Sequence, residues 1–192
     1  VRLEDLTIRI TKGTTPNKYS SNGLVSFVKL ESIRRGEIVE EFCSRIDNET
    51  HFNELNRSIL EDGDILLGIA GSLGRVGIVK QNNLPANTNQ ALAIIRLKDK
   101  TLKDFVFYSL QTDAMKKYIR GCTSVGAQPN ISLGQTSDYK IAIPFKEECQ
   151  KIATVLKLAD NKIKLLSKKK QALETYKKGL MQKIFSQEFR FK

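Results

Sequence analysis

Between residues 147 and 185 the apolar positions recur on alternating steps of four and three. They are Ile152, Leu156, Ala159, Ile163, Leu166, Leu173, Leu180 and Ile184, with Lys170 and Lys177 interrupting the series. That spacing keeps one narrow stripe on one side of a helix and predicts a seam for a second helix. No proline lies in the run and its other faces are crowded with Lys, Gln and Glu, which predicts about 39 helical residues, roughly 58 Å at ~1.5 Å per residue. A globule made from the preceding residues has an expected radius of gyration of only about 15 Å. The rod therefore overhangs its own domain and calls for a helix from a second copy or a second half. Ile152, Leu156, Ile163, Leu166, Leu173, Leu180 and Ile184 are the candidate dimerisation residues. The alternative is a helix folded back on its own domain, with Gly179 as the place for a break, since a mid-helix glycine costs ~1 kcal/mol.

Ahead of the rod the period shortens to two. Strands are predicted over residues 3–10, 24–30, 37–42, 65–70, 75–79 and 91–97, the last being the clearest, with turns at Lys12-Gly13-Thr14-Thr15-Pro16, Arg34-Arg35-Gly36 and Gly71-Ser72-Leu73-Gly74. Residues 53–60 read as a short helix or an irregular connection, and residues 82–90 as a polar loop. A helix follows, opened by Thr101 and Asp104 in the pattern of a capping box, then a second one carrying Met115, Tyr118 and Ile119 and ending at Gly121. A loop of small and amide residues leads to a last strand at 139–143, and Pro144 closes the domain. The expected fold class is α+β: a mixed or antiparallel sheet domain over residues 1–145, then a long C-terminal coiled-coil helix and tail over residues 146–192.

Charge narrows the choice of partner. The net charge is +11, and no apolar run approaches the ~20 residues that cross a bilayer, so a polyanion, nucleic acid before membrane, is favoured. From residue 146 onward there are 13 basic and 5 acidic residues, against 19 and 16 before it, so the surplus lies mainly on the rod. A solvated helical face accounts for such a run equally well. Cys43, Cys122 and Cys149 are odd in number and lack ligand spacing, which fits a reducing cytoplasm and suggests neither a disulfide framework nor a zinc site. The chain starts at Val1 without methionine, as a fragment or processed chain would.

Catalytic chemistry finds little support in the pattern. Glycines 68, 71, 74 and 77 match no phosphate-binding loop and lie across a predicted hairpin. His51 is the only histidine and reads as a loop residue, while Asp62 and Asp64 read as turn punctuation rather than metal ligands. No catalytic or metal-ligating residue is assigned. Three loops instead concentrate the side chains that read DNA: Asn, Gln and Arg suit base edges, and Lys, Ser and Thr suit phosphates. Candidate base readers are Arg75, Asn89, Gln90, Gln128 and Asn130. Candidate backbone contacts are Lys12, Thr14, Thr15, Lys18, Tyr19, Arg34, Arg35 and Ser72.

The order of several short motifs also resembles a known family. Gly13-Thr14-Thr15-Pro16, Asp62-Gly63-Asp64-Ile65-Leu66-Leu67, Gly71-Ser72-Leu73-Gly74, Asn89-Gln90 and Gln128-Pro129-Asn130-Ile131-Ser132 follow one another as in target-recognition domains of type I restriction-modification specificity subunits. Ile143-Pro144, Glu147-Glu148, Gln150-Lys151-Ile152-Ala153, the stretch from Lys177 through Phe185 and the terminal Phe189-Arg190-Phe191-Lys192 resemble that family's spacer helix and C-terminal end. Cys149 stands where the family usually has glutamine, and Pro144-Phe145 replaces a frequent Pro-Pro. The resemblance implies a non-catalytic subunit, a half-length chain that homodimerises or the C-terminal part of a longer one, reading one half of a bipartite double-stranded DNA target. It also implies methyltransferase subunits docked on the helices, using S-adenosylmethionine that this chain does not itself bind. A translocating nuclease subunit can join the same assembly. Alternatives from other classes are a small metal-dependent nuclease with a dimerisation arm and a basic dimeric DNA binder without sequence preference.

Overall fold

A computed structural model describes residues 1–123 and 129–190. They fall into two compact units, Val1–Gln150 and Lys151–Lys192.

The first unit carries nine strands: β1 (Thr7–Lys12), β2 (Val25–Val28), β3 (Ile33–Arg34), β4 (Glu37–Ile38), β5 (Ser44–Ile46), β6 (Ile65–Gly68), β7 (Val76–Ile78), β8 (Ala86–Thr88) and β9 (Leu92–Leu97). Six form one sheet in the order β1-β9-β6-β7-β4-β3, and three form a second in the order β5-β2-β8. Both sheets are mixed: β4 runs parallel to β7 and β2 parallel to β8, and the other pairings are antiparallel. Every residue of β6 is buried, as are five of the six in β9, because these strands lie inside the large sheet and are covered on both faces. A core of Val28, Ile33, Ile38, Leu60, Leu66, Val79, Ala86, Leu92 and Ile94 joins the two sheets, and Val25, Phe27, Ile46 and Leu55 form a smaller one under the second.

Helices α1 (Lys103–Ser109), α2 (Asp113–Cys122) and α3 (Leu133–Asp138) follow the strands. Helix α4, Lys146–Phe185, is continuous over 40 residues. A Cβ at Gly179 would meet nothing within 4 Å, and the helix passes through that residue without a break. Among the described residues no helix is long and apolar enough to cross a membrane.

Several boundaries differ from the sequence expectation. The first strand starts later, because Leu3–Leu6 forms a 3₁₀ turn whose Leu3 is fully buried. The strand expected at 37–42 ends at Ile38, and Glu40–Phe42 turns as 3₁₀ before β5, which the pattern had not suggested. Residues 82–90 are not simply a loop: Ala86–Thr88 is a buried strand preceded by a cis Leu84-Pro85 bond. Residue 101 does not cap α1; the side chain of Asp99 accepts the backbone N–H of Thr101 instead, at 2.9 Å. The expected last strand at 139–143 is reduced to a single bridge, Arg2 to Lys140. The segment before it holds α3, opened by a true capping box in which Ser132 and Gln135 satisfy each other's backbone N–H groups.

Candidate nucleic-acid interface

The antiparallel registers bring one set of loops to one end of the large sheet. Lys12, the last residue of β1, lies opposite Ala93, and Gly68, the last of β6, opposite Leu92, the first of β9. The loop after β1, the β6–β7 hairpin and the turn before β9 therefore share that end. Close packing fixes the first of these. A Cβ on Gly13 would stand 1.8 Å from the carbonyl oxygen of Thr88, so only glycine lets the chain pass there. Thr14 then donates its backbone N–H to the same oxygen at 3.2 Å, and the Thr15 hydroxyl donates to Gln90 Oε1 at 2.6 Å. In the hairpin, Gly71 and Gly74 both sit at φ +75°, turning the chain tightly enough for the Gly68 N–H to donate to the Arg75 carbonyl at 2.7 Å. The segment after the undescribed residues 124–128 joins the same end: Asn130 bridges Ala70, and the Ile131 N–H donates to the Ile69 carbonyl at 3.0 Å.

Most of the candidate residues are gathered there. Lys12, Thr14, Thr15, Ser72, Arg75, Gln90 and Asn130 are exposed at this end, with Asn89 half-buried. The Arg75 guanidinium donates to the Leu30 carbonyl at 2.8 Å, which ties the hairpin to the chain leaving β2. Asn89 Oδ1 accepts the Ala91 N–H at 3.2 Å, so part of that amide shapes the turn rather than facing outward. Tyr19 stacks edge-on against Phe27 with centroids 5.6 Å apart and carries the Lys29 ammonium 5.1 Å from its ring. Burial, with the nearby Glu31 charge, raises the Tyr19 phenol above its ordinary pKa, so it stays a hydroxyl donor. Lys18 is exposed, and its charge helps hold the Asp47 carboxyl below the usual range, after hydrogen bonds from Thr50.

Arg34 and Arg35 turn the β3–β4 hairpin at the β3 margin of the sheet, five strand spacings from β1, about 24 Å at ~4.8 Å each, but only two from β7, which follows Arg75. The Arg34 guanidinium lies 3.5 Å over the Phe42 ring, and Arg35 takes a left-handed φ of 51° in the turn. Gln128 lies outside the described residues.

Behind the gathered loops stands a support that overlaps the stretch, residues 53–60, expected as a short helix or an irregular connection. Thr50–Glu54 makes one π turn and Asn56–Ser58 a 3₁₀ turn. His51 is buried, not a loop residue in solvent, with Nδ1 against Oδ1 of the fully buried Asn87. Asn87 Nδ2 donates to the Leu55 carbonyl at 2.9 Å and to the Ser58 hydroxyl at 3.2 Å, so its oxygen faces the imidazole and Nδ1 carries the proton. From this anchored segment the Arg57 guanidinium donates to Thr14 Oγ1 at 3.3 Å and Glu54 Oε1 accepts the Asn17 N–H at 2.8 Å. Arg57 and Lys29 are cations at the interface that no pattern in the sequence singled out.

Asp64 has a similar structural duty. It is 1% exposed and accepts two hydrogen bonds of 2.8 Å from Arg96, whose guanidinium also pairs with Glu61. Asp62 is exposed, and its carbonyl accepts a bond from Lys100 at 3.0 Å. Among the described residues no three His, Cys, Asp or Glu side chains converge to hold a metal ion.

In α4 the residues of the expected seam line one stripe, exposed apart from the half-buried Ile184, and a second stripe accompanies it. Val155, Leu158, Leu165 and Tyr176, with Ala172, repeat at steps of three, four or seven residues, and the first four are each more than 60% exposed. They lie about 110° around the helix from the first stripe, at ~100° per residue. The steps could have been read in the sequence, but the first stripe drew the period.

A family model described as type I restriction modification DNA specificity domain matches residues 1–175. The chain belongs to this family. Relatives from Methanocaldococcus jannaschii include the type I restriction enzyme MjaVIII specificity subunit, 29% identical over 92% of this chain and 42% of that protein. The MjaIX specificity subunit is 31% identical over 66% of this chain and 28% of that protein. The chain thus spans less than half the length of either relative. The fold is shared with solved structures at low identity. The S subunit of a type I restriction-modification system from M. genitalium aligns with a TM-score of 0.66 at 17% identity, over 97% of this chain and 45% of that one. A chain from work on complex assembly and conformational transition of the type I R-M system aligns with a TM-score of 0.71 at 19% identity, over 99% and 45%. The nuclease and the non-specific binder find no support in these likenesses.

Proposed function

We propose that this specificity chain reads one half of a bipartite duplex DNA target and uses α4 to join a second half, its own copy or another part of a longer subunit. The observation that carries the reading is the family match, which runs through the globular unit and on into the helix. The gathered loops support it. Donors and acceptors from four separate segments lie on one sheet end, in the mixture of amides, hydroxyls and one arginine that distinguishes bases in a groove. The seam Ile152, Leu156, Ile163, Leu166, Leu173, Leu180 and Ile184 pairs the two halves, and their separation sets the gap between half-sites. A pair of helices covers one stripe each, so the second stripe is left for further helices, which fits methyltransferase subunits docking alongside.

In this reading the chain is non-catalytic: adenine methylation, with S-adenosylmethionine, belongs to the docked subunits, and a translocating nuclease subunit adds cleavage. Lys12, Thr14, Thr15, Lys18, Tyr19 and Ser72 contact the DNA backbone, and Arg75, Asn89, Gln90, Gln128 and Asn130 read bases. Arg34 and Arg35 contact phosphates at the β3 margin of the sheet, on the β7 side of the gathered loops. Methylome sequencing of a host with the gene present and deleted tests the proposal. One bipartite motif should lose its methylation on deletion; an unchanged methylome would refute it.

A further inference from the structure

The turn between β8 and β9 has its acceptors engaged from within. The Thr88 carbonyl takes the Thr14 N–H at 3.2 Å and the Asn89 carbonyl the Leu92 N–H at 3.3 Å. The Ala91 carbonyl takes the N–H groups of Ile69 and Ala70 at 2.9 and 3.4 Å. The two amide side chains of the turn are held in the same sense. Asn89 Oδ1 accepts the Ala91 N–H at 3.2 Å, and chemistry forces that orientation, because a backbone N–H can be met only by the amide oxygen. Gln90 Oε1 accepts the Thr15 hydroxyl at 2.6 Å. Each amide therefore keeps its NH2 group, a pure donor, for whatever approaches this end of the sheet. On the other side of β6 stands Arg75, anchored through one N–H to the Leu30 carbonyl at 2.8 Å and a donor in every orientation.

We propose that Asn89, Gln90 and Arg75 form a donor set that reads guanine in the major groove. The inference rests on the reading of the chain as a DNA specificity half. An amide that pairs with adenine uses both of its ends, the N–H toward N7 and the oxygen toward the N6 amino group. Here the oxygens are already taken, so adenine would bring one donor against another. Cytosine presents only a donor at N4, and thymine a single acceptor beside its methyl group. Guanine alone presents two neighbouring acceptors, N7 and O6, which match an NH2 group or a guanidinium. Thr15 is then a positioning residue as well, since its hydroxyl holds the Gln90 amide with the donors outward.

The test replaces the gene in its host by one carrying Asn89→Asp and Gln90→Glu and compares the methylomes. Both carboxylates keep an oxygen for the Ala91 N–H and the Thr15 hydroxyl, so the turn is retained and only the outward N–H groups become acceptors. The parent motif should hold a guanine in this half-site, and in the variant the preference for it, read as the ratio of methylated sites with and without it, should fall about tenfold or more. A second measurement uses the chain as isolated from the host and a labelled duplex with 7-deazaguanine, which lacks N7, at that position. The parent should bind it about fivefold more weakly than the guanine duplex, as expected for one lost hydrogen bond, and the variant should not distinguish the two. A variant that methylates nothing leaves the decision to the parent's response to the deaza base. A motif without guanine, an unchanged preference in the variant, or no penalty for the deaza base in the parent overturns the inference while the specificity reading stands. Absence of any gene-dependent motif overturns both.

Discussion

In the globular unit Thr15 is bonded to Gln90, 75 positions along the chain, and His51 to Asn87, 36 positions away. In α4 the Thr175 hydroxyl bonds the Gln171 carbonyl four positions back, and Lys170 pairs with Glu174 at the same spacing. The first region closes its polar groups internally and buries its large side chains in two clusters. The second makes its contacts one turn at a time and leaves Ile163, Leu166 and Leu173 more than half exposed. A region held by distant contacts can present loops in a defined relation to one another. A region held by local contacts can only present faces, and those faces need partners. That difference is what the proposed function uses, with reading by the first region and assembly by the second.

The sharpest way to break the contrast is at the buried ion pair. Arg96→Ala leaves the Asp64 carboxylate inside the sheet without its partner and should cost about 3–5 kcal/mol of stability in urea unfolding. A loss below ~1 kcal/mol would mean that the unit does not depend on that closure. On the helix, Leu166→Asp should weaken association on the order of 100-fold, ~2.7 kcal/mol, in sedimentation, without changing the unfolding of the globular unit. Unaltered sedimentation would refute the seam.

Asn87→Ala removes the acceptor of His51 and the donor to Leu55 and Ser58, and should cost about 2 kcal/mol by leaving buried groups unpaired. If the support carries the reading loops, sequence preference in a selection from random duplexes should fall with it. Retained preference would separate the support from the interface. Gly179→Ala should stabilise α4 by ~1 kcal/mol in thermal melts followed at the helix signal, because the added methyl meets no neighbour.

The smallest expected effect lies at the start of α4. The Lys146 ammonium at 2.7 Å, with bonds from Thr101, holds the Asp99 carboxyl down at about 2. A depressed carboxyl pKa contributes stability above its unfolded value, near 3.8, and loses it as pH falls through about 2. Asp99→Asn should therefore lower the melting temperature slightly at pH 5, with the difference from the parent shrinking toward pH 2. A difference that grew on acidification would contradict the pairing.

The elements that could be read in advance share a physical property. α4, β9 and the turns at Arg34-Arg35-Gly36 and Gly71-Ser72-Leu73-Gly74 are specified by residues within a few positions of each other, through helical period, a long apolar run or glycine conformations. β5, β8 and α3 are three to six residues long, too short for a period to register. β8 hides further behind polar side chains, Asn87 and Thr88, which are buried only because His51, Ser58 and the Val28 carbonyl meet them from elsewhere in the chain. Asp99 rather than Thr101 caps the α1 region for a similar reason, since Lys146 arrives to pair with it.

The candidate interface divides along the same line. Residue type alone nominated Thr14, Thr15, Arg75, Gln90 and Asn130, because amides, hydroxyls and arginines are the side chains that match DNA. That the sheet registers collect these residues at one end, put Arg34 and Arg35 two strands beyond the Arg75 hairpin and add Arg57 beside Thr14 was decided only by the tertiary structure. Strand pairing is a contact between distant positions with no local signature, whereas the repeat of an amphipathic helix is written into each successive turn.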